Sequence, residues 1–261
     1  MSYEDRVVCF LDILGFQNHV VATINSDGTE AKDRTELLIA AFENIRDILD
    51  IDRPEDRKGK EVTQFSDSIV ISFRATEESG VFYALLDIMW VQVNLVLRGI
   101  LCRGAVARGK LVHTSKILFG PGMVDAYVLE SKAALYPRVI LDESIIKLGV
   151  MAHARHHLPE HEEKSITSLL EKDSDGMYYI NYITGAQSEL DDPELDYPSY
   201  LHSLQKIVAL GITAKDPSVV VKYRWLREKL QPHVESIKTR VAENLPEGNE
   251  LRDAYESISD L

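Results

Sequence analysis

Cysteine is scarce: the 261-residue chain has two, Cys9 and Cys102, each inside an apolar run. That excludes a disulfide framework and reads as two buried core thiols. Positive charge is also in deficit. Lys and Arg number 29 against 42 Asp and Glu, a formal net charge of −13, so the global field repels nucleic acid and anionic membrane surfaces. No apolar run approaches the ~20 residues of a membrane-spanning helix. Met1 to Arg6 lacks the basic start and hydrophobic stretch of a secretory leader, and a cytoplasmic protein is expected. Internal repeats and low-complexity segments are absent too. What remains is ordinary globular composition, 45% hydrophobic and 27% charged, enough for one large core or for a domain with an appendage.

The chain is organised around Val7-Val8-Cys9-Phe10-Leu11-Asp12-Ile13-Leu14-Gly15-Phe16. An apolar run of strand length ends in one carboxylate, and a glycine follows three residues later at the head of a helix. A buried strand delivers a metal ligand in this way, with N–H groups of the next turn directed at phosphate oxygens. A second acid, Asp67, lies in Thr63-Gln64-Phe65-Ser66-Asp67-Ser68-Ile69-Val70, between two β-branched or aromatic runs. Two aspartates at strand ends point to a shared divalent cation, because a hard cation takes oxygen ligands.

Taken in order, the pattern predicts a strand over Val7 to Leu11, a short helix over Phe16 to Ile24, and a core-facing helix from Asp33 to Leu49. The polar stretch Asp50 to Lys60 reads as a surface loop. Strands at Glu61 to Phe65 and Ser68 to Arg74 form a hairpin with Asp67 at its tip. A broad apolar helix runs from Thr76 to Arg98. The segment Ile100 to Val112 reads as two strands about a Gly109 turn. A helix from Met123 to Leu135 and a strand at Val139 to Leu141 follow, with one more strand over Gly176 to Ile183. Helices at Tyr197 to Leu210 and Val219 to Asn244, the second kinked or broken at Pro232, read as a helical appendage. The expected fold class is therefore α+β, a ferredoxin-like sheet with flanking helices and a C-terminal helical extension, divided as 1–187 and 188–261.

The series Phe10-Leu11-Asp12-Ile13-Leu14-Gly15-Phe16, Phe65-Ser66-Asp67-Ser68, Arg103-Gly104-Ala105-Val106-Ala107-Arg108-Gly109, and Phe119-Gly120 leading to Ala126 and Glu130-Ser131 resembles the class III nucleotidyl cyclase catalytic domain, with the motifs in the right order over residues 6–183. The resemblance implies two Mg²⁺ or Mn²⁺ ions held by Asp12, Asp67 and the carbonyl of Ile13. It implies a triphosphate cradled by the N–H groups of Leu14, Gly15 and Phe16, and a homodimer with its active site at the interface.

The departures narrow the reading. Val124 and Val128 stand where the family carries its ribose-orienting Asn and transition-state Arg, which leaves Arg103 and Arg108 as the candidate catalytic cations. Lys172 falls at the triphosphate-binding lysine. Thr63 and Ile117 fall where adenylate cyclases read adenine, so that donor–acceptor pair is missing. Among relatives, the pyrimidine cyclases of bacterial Pycsar antiphage systems are the most similar. That resemblance implies conversion of UTP, or else CTP, to the 3′,5′-cyclic monophosphate, as a messenger for a separate effector protein. A catalytically inactive nucleotide-binding module is the alternative. Haloacid-dehalogenase-like phosphatases also open on a strand ending in Asp, but they need a second Asp where Leu14 stands. The histidines 153, 156, 157 and 161 sit among Glu160, Glu162 and Glu163 and read as a solvated helix end.

Overall fold

The computed structural model describes residues 2–53 and 59–258; the middle of the loop expected between Asp50 and Lys60 lies outside the described residues. The chain runs β1 (Glu4–Ile13), α1 (Phe16–Val21), α2 (Lys32–Ile48), β2 (Glu61–Phe65), β3 (Ser68–Arg74), α3 (Gly80–Val96), β4 (Cys102–His113), β5 (Leu118–Phe119), α4 (Pro121–Ala133) and β6 (Val139–Leu141). It continues through α5 (Glu143–Met151), α6 (Pro159–Ser168), β7 (Leu170–Lys172), β8 (Tyr178–Ile180), α7 (Asp196–Gly211), α8 (Pro217–Asn244) and α9 (Glu250–Glu256).

The sheet order is β2-β3-β1-β4-β6-β8-β7, with β5 paired to β4. β1 runs antiparallel to both β3 and β4, so β1-α2-β2 and β3-α3-β4 interleave as two split crossover units. This is the expected α+β, ferredoxin-like arrangement with flanking helices. Val7 to Leu11 are all buried because both faces of the central strand are covered. Alternation assigns the faces. Val7, Cys9, Leu11 and Ile13 join the large core with Ala41 and Ile45 of α2 and Leu85 and Ile88 of α3. Val8 and Phe10 join Val70, Leu111 and Ala126 of α4 in a smaller cluster on the other face. Asp12 belongs to that second face.

Two local expectations, a turn at Gly109 and a break at Pro232, fail for physical reasons. Gly109 does not turn the chain: β4 is one continuous strand from Cys102 to His113. The glycine is needed for packing, since a Cβ there would come within 2.6 Å of the Gly122 Cα in α4. Pro232 does not end its helix, because Leu230, Val234, Ile237 and Val241 carry one buried stripe across it. Packing of that stripe outweighs the backbone hydrogen bond the proline cannot make.

The C-terminal helices bury Tyr197, Tyr200, Leu204, Trp225 and Leu226 in the same core as the sheet. Tyr200 Oη donates to the Tyr182 carbonyl at 2.6 Å, and Tyr182 Oη donates to the Pro137 carbonyl at 2.8 Å. Trp225 of α8 stacks on Tyr136 at 5.4 Å, and its Nε1 donates to Asp173 at 2.7 Å. Asp173 also pairs with the fully buried Arg138 and, at 3.1 Å, with Lys229. Among the described residues no helix is long and apolar enough to cross a membrane.

Candidate functional site

The hairpin between β2 and β3 has Ser66 and Asp67 as its two central residues, since Phe65 pairs with Ser68. Ser66 takes the left-handed conformation, φ 55°, that such a tight turn demands. Asp12 of β1 lies opposite Ser68, so Asp67 sits one residue beyond it at the same sheet end. Ile13 N–H donates to the Asp67 carbonyl at 3.1 Å and ties the hairpin tip to the end of β1. The two acids that stand 55 residues apart in sequence are thus neighbours, both half-buried.

Their charges interact. Burial pushes the Asp12 carboxyl above its usual range, Arg103 opposes this, and the Asp67 carboxylate adds to the rise. On the other neighbouring strand, Asp12 pairs with Arg103. Arg103 Nε donates to Asp12 Oδ2 at 3.5 Å, while Glu130 Oε1 lies 2.6 Å from the same nitrogen but off the N–H direction. That second contact is an ion pair without an aligned hydrogen bond. Glu130 is only 2% exposed, and burial raises its carboxyl as well, against the pull of Arg103.

Lys222, half-buried on α8, adds a positive field at both Asp12 and Glu130. It shares a helix face with Trp225, one turn later, whose ring stacks on Tyr136 just beyond α4. Sequence reasoning missed Glu130 and Lys222 as members of this cluster. Glu130 carried a signal, an acid on the buried stripe of Gly122 and Ala126; Lys222, far along the chain, carried none.

The phosphate turn is smaller than expected. Leu14 N–H already donates to the Leu101 carbonyl at 2.8 Å, so it is not available to a ligand and only Gly15 and Phe16 remain of the three. Gly15 holds φ 68° at the head of α1, a left-handed turn that a side chain would strain.

The remaining candidates lie elsewhere on the chain. Arg108 is five residues along β4 from Arg103, roughly 17 Å at strand spacing, and pairs with Asp5 at 2.6 Å. It lines a cavity of about 530 Å³ together with Asp125 and Val128. Lys172 is exposed on the edge strand β7, four strands from β1, with its ammonium 5.1 Å from the Tyr178 ring centroid. Within one chain it does not approach Asp12.

Thr63 and Ile117 come together near His113. Thr63 Oγ1 is 2.9 Å from His113 Nε2, and Ile117 closes the tight turn after that histidine. His113 Nδ1 contacts Ser72 Oγ at 2.8 Å, and Arg6 Nε donates to the same hydroxyl. A cavity of about 410 Å³ beside this chain is lined by Arg6, Arg74, Glu61 and Thr114 among others. Val124, Tyr127 and Val128 of α4 are all exposed.

Among the described residues, no three His, Cys, Asp or Glu side chains gather into a metal-binding group, the histidines at 153–161 included. A pair of half-buried carboxylates nonetheless fits Mg²⁺, which is commonly bound through one or two carboxylates plus substrate phosphates and water. The donor set is oxygen only, and Asp67 in a tight turn stands beside Asp12 at a strand end.

No protein-family model matches the chain, and no curated protein matches it. The solved structures similar to it include two bacterial proteins. One is the adenylyl cyclase CyaB from P. aeruginosa, 15% identical, with a TM-score of 0.44 over 68% of this chain and 94% of that one. The other is a class III adenylyl cyclase-like ATP-binding protein from Pseudomonas aeruginosa, 16% identical, with a TM-score of 0.39; the match covers 63% of this chain and 39% of that one.

Proposed function

We propose that this protein is a nucleotidyl cyclase that converts UTP, or else CTP, to the 3′,5′-cyclic monophosphate and pyrophosphate. The observation that carries the reading is the meeting of Asp12 and Asp67 at one sheet end with Arg103 against Asp12. Two Mg²⁺ or Mn²⁺ ions, held by Asp12, Asp67 and the Ile13 carbonyl, would acidify the ribose 3′-hydroxyl and screen the triphosphate. The 3′-hydroxyl gives its proton to water, its oxygen forms a new bond to the α-phosphorus, the bond from that phosphorus to the bridging oxygen breaks, and pyrophosphate departs with the electron pair. Arg103 answers the negative charge that develops on the α-phosphate, from β4 instead of α4. Gly15 and Phe16 N–H groups hold the outer phosphates.

The working unit is a homodimer with the active site between copies. Val124, Tyr127 and Val128 of α4 and the 81%-exposed Phe65 leave apolar surface on the sheet face that carries Asp12, which supports a second copy there. In that unit Arg108, beside Val128, and Lys172 belong to the site of the opposite copy. Thr63 and the turn at Ile117 meet the base, where His113 offers hydrogen-bonding chemistry unlike the missing Lys and Asp pair. The product serves as a messenger for a separate effector in antiviral defence.

A second reading, an inactive nucleotide-binding module, draws on the apolar Val124 and Val128. Incubation with each of the four nucleoside triphosphates and Mn²⁺, followed by mass analysis, separates the two. A cyclic pyrimidine monophosphate establishes the enzyme; binding without turnover establishes the module; preferential conversion of ATP overturns the pyrimidine assignment.

A further inference from the structure

Glu130 is a carboxylate with a costly address. It is 2% exposed, on the stripe of α4 that otherwise presents Gly122 and Ala126 to the sheet, and its Oε1 accepts no aligned hydrogen bond. An acid buried with an under-bonded oxygen destabilises a fold, and a buried ion pair adds little net stability over apolar packing. Stability alone therefore gives no reason for an acid at this position.

The geometry around Arg103 does. Both carboxylates bear on one atom, Nε: Glu130 at 2.6 Å and Asp12 at 3.5 Å. Among the described residues the two Nη atoms donate no hydrogen bond. The guanidinium is thus held by its Nε edge, and its Nη fork is the edge left for a bidentate contact with a phosphate or similar oxyanion. Among the described residues Arg103 donates to one Asp12 oxygen, Oδ2 at 3.5 Å, and the closer charge of Glu130 keeps the guanidinium from a two-oxygen clasp that would also take Oδ1 from a cation.

We infer that Glu130 is a positioning residue, which holds Arg103 by Nε so that its Nη fork meets a ligand phosphate beside Asp12 while the Asp12 carboxylate stays open to a cation. The inference rests on the reading that the ligand is a nucleoside triphosphate. It also accounts for the missing arginine on α4: the helix contributes the anchor, and the strand contributes the cation.

The test is binding of inorganic triphosphate with Mn²⁺, by calorimetry, to the full chain and to Glu130→Gln, Arg103→Ala and the double variant. Gln keeps the volume of Glu, and a thermal melt of each variant reports the fold. Glu130→Gln should weaken binding about tenfold, and Arg103→Ala by at least as much. The double variant should be no weaker than Arg103→Ala, because Glu130 acts only through Arg103. A merely structural Glu130 would instead add its loss to that of Arg103. Wild-type affinity in Glu130→Gln, or losses that multiply in the double variant, would overturn the proposal. So would a wild-type chain that binds no triphosphate.

If Glu130→Gln loses its cooperative melt, Glu130→Asp replaces it. This variant keeps the charge but withdraws it by one methylene, and binding between wild type and Arg103→Ala is expected; equality with wild type overturns the proposal. Turnover of nucleoside triphosphates by the same preparations is read separately. The expected binding pattern without turnover keeps the inference and removes the cyclase reading, and turnover without the pattern does the reverse.

Discussion

Asp12 is held above the ordinary carboxylate range because burial disfavours its charge, and the nearby Asp67 carboxylate adds to this against the Arg103 guanidinium. A carboxyl raised on folding contributes stability that is complete below its unfolded pKa, about 3.9, and lost as pH rises through the folded value. In the metal-free chain folding therefore works against the charge of this carboxyl. Asp12→Asn removes it. The expected outcome is a higher melting temperature than wild type near pH 7, with the gain vanishing toward pH 4; each kcal/mol is worth about 2–4 °C in a chain of this size. The same variant should lose Mn²⁺-dependent turnover, as should Asp67→Ala. A functional carboxylate that costs stability in the empty site is the common exchange of stability for chemistry. Near-full activity in either variant would remove the cation assignment.

The elements make their own predictions. β4 lies so close to α4 that Gly109 has the Gly122 backbone where a Cβ would go. Gly109→Ala should therefore destabilise by about 1–3 kcal/mol in denaturant unfolding, an overpacking penalty and not a turn effect. Docking of α8 is the other case. Burial pushes the Asp173 carboxyl up, but bonds from Ser174 N–H, Trp225 and Lys229 and the Arg138 charge outweigh it and hold the group below its usual range. A depressed carboxyl contributes stability that is present above its unfolded pKa and disappears as pH falls through the folded one. The chain should lose stability on acidification below about pH 4. Asp173→Ala should flatten that limb and cost about 1–3 kcal/mol at neutral pH, since it leaves the Trp225 Nε1 donor buried without an acceptor and Arg138 with Asp175 as its remaining carboxylate. Tryptophan fluorescence, in which Trp225 reports on α8, follows both effects.

For the whole molecule, the expected assembly is a dimer through the exposed apolar residues of α4 and the β2–β3 hairpin. Val124→Asp with Val128→Asp should give a folded monomer by light scattering, and that monomer should be inactive; an active monomer would place the site within one chain. Much of this architecture was legible in the sequence. The β2–β3 hairpin matches its expected bounds of Glu61–Phe65 and Ser68–Arg74, because alternation on each side of a polar turn is local information. The placement of Asp12 at the end of an apolar strand and of Asp67 at a hairpin tip was legible for the same reason, and the β1–β3 register is what sets the two side by side. The role of Gly109 was not, because a glycine needed for close packing and one needed for a turn look alike until the partner helix is in place. The acceptor for Leu14 N–H was hidden too, since it comes from Leu101 at the end of a distant segment.

Hydrophobic periodicity is carried by neighbouring residues, so the linear chain alone settled β1, the β2–β3 hairpin, β6, the main helices, the α+β class and the two acids at strand ends, but not the continuity of β4 or the short strands β5 and β7. Which charges share a site is decided by separation in space, and burial magnifies each pair. Only the folded sheet brought Glu130 from α4 to Arg103 on β4 and Lys222 from α8 toward Asp12 on β1. Coulomb interactions ignore chain order, and that is why the anchor of Arg103 could not be read before β4, α4 and β1 were packed together.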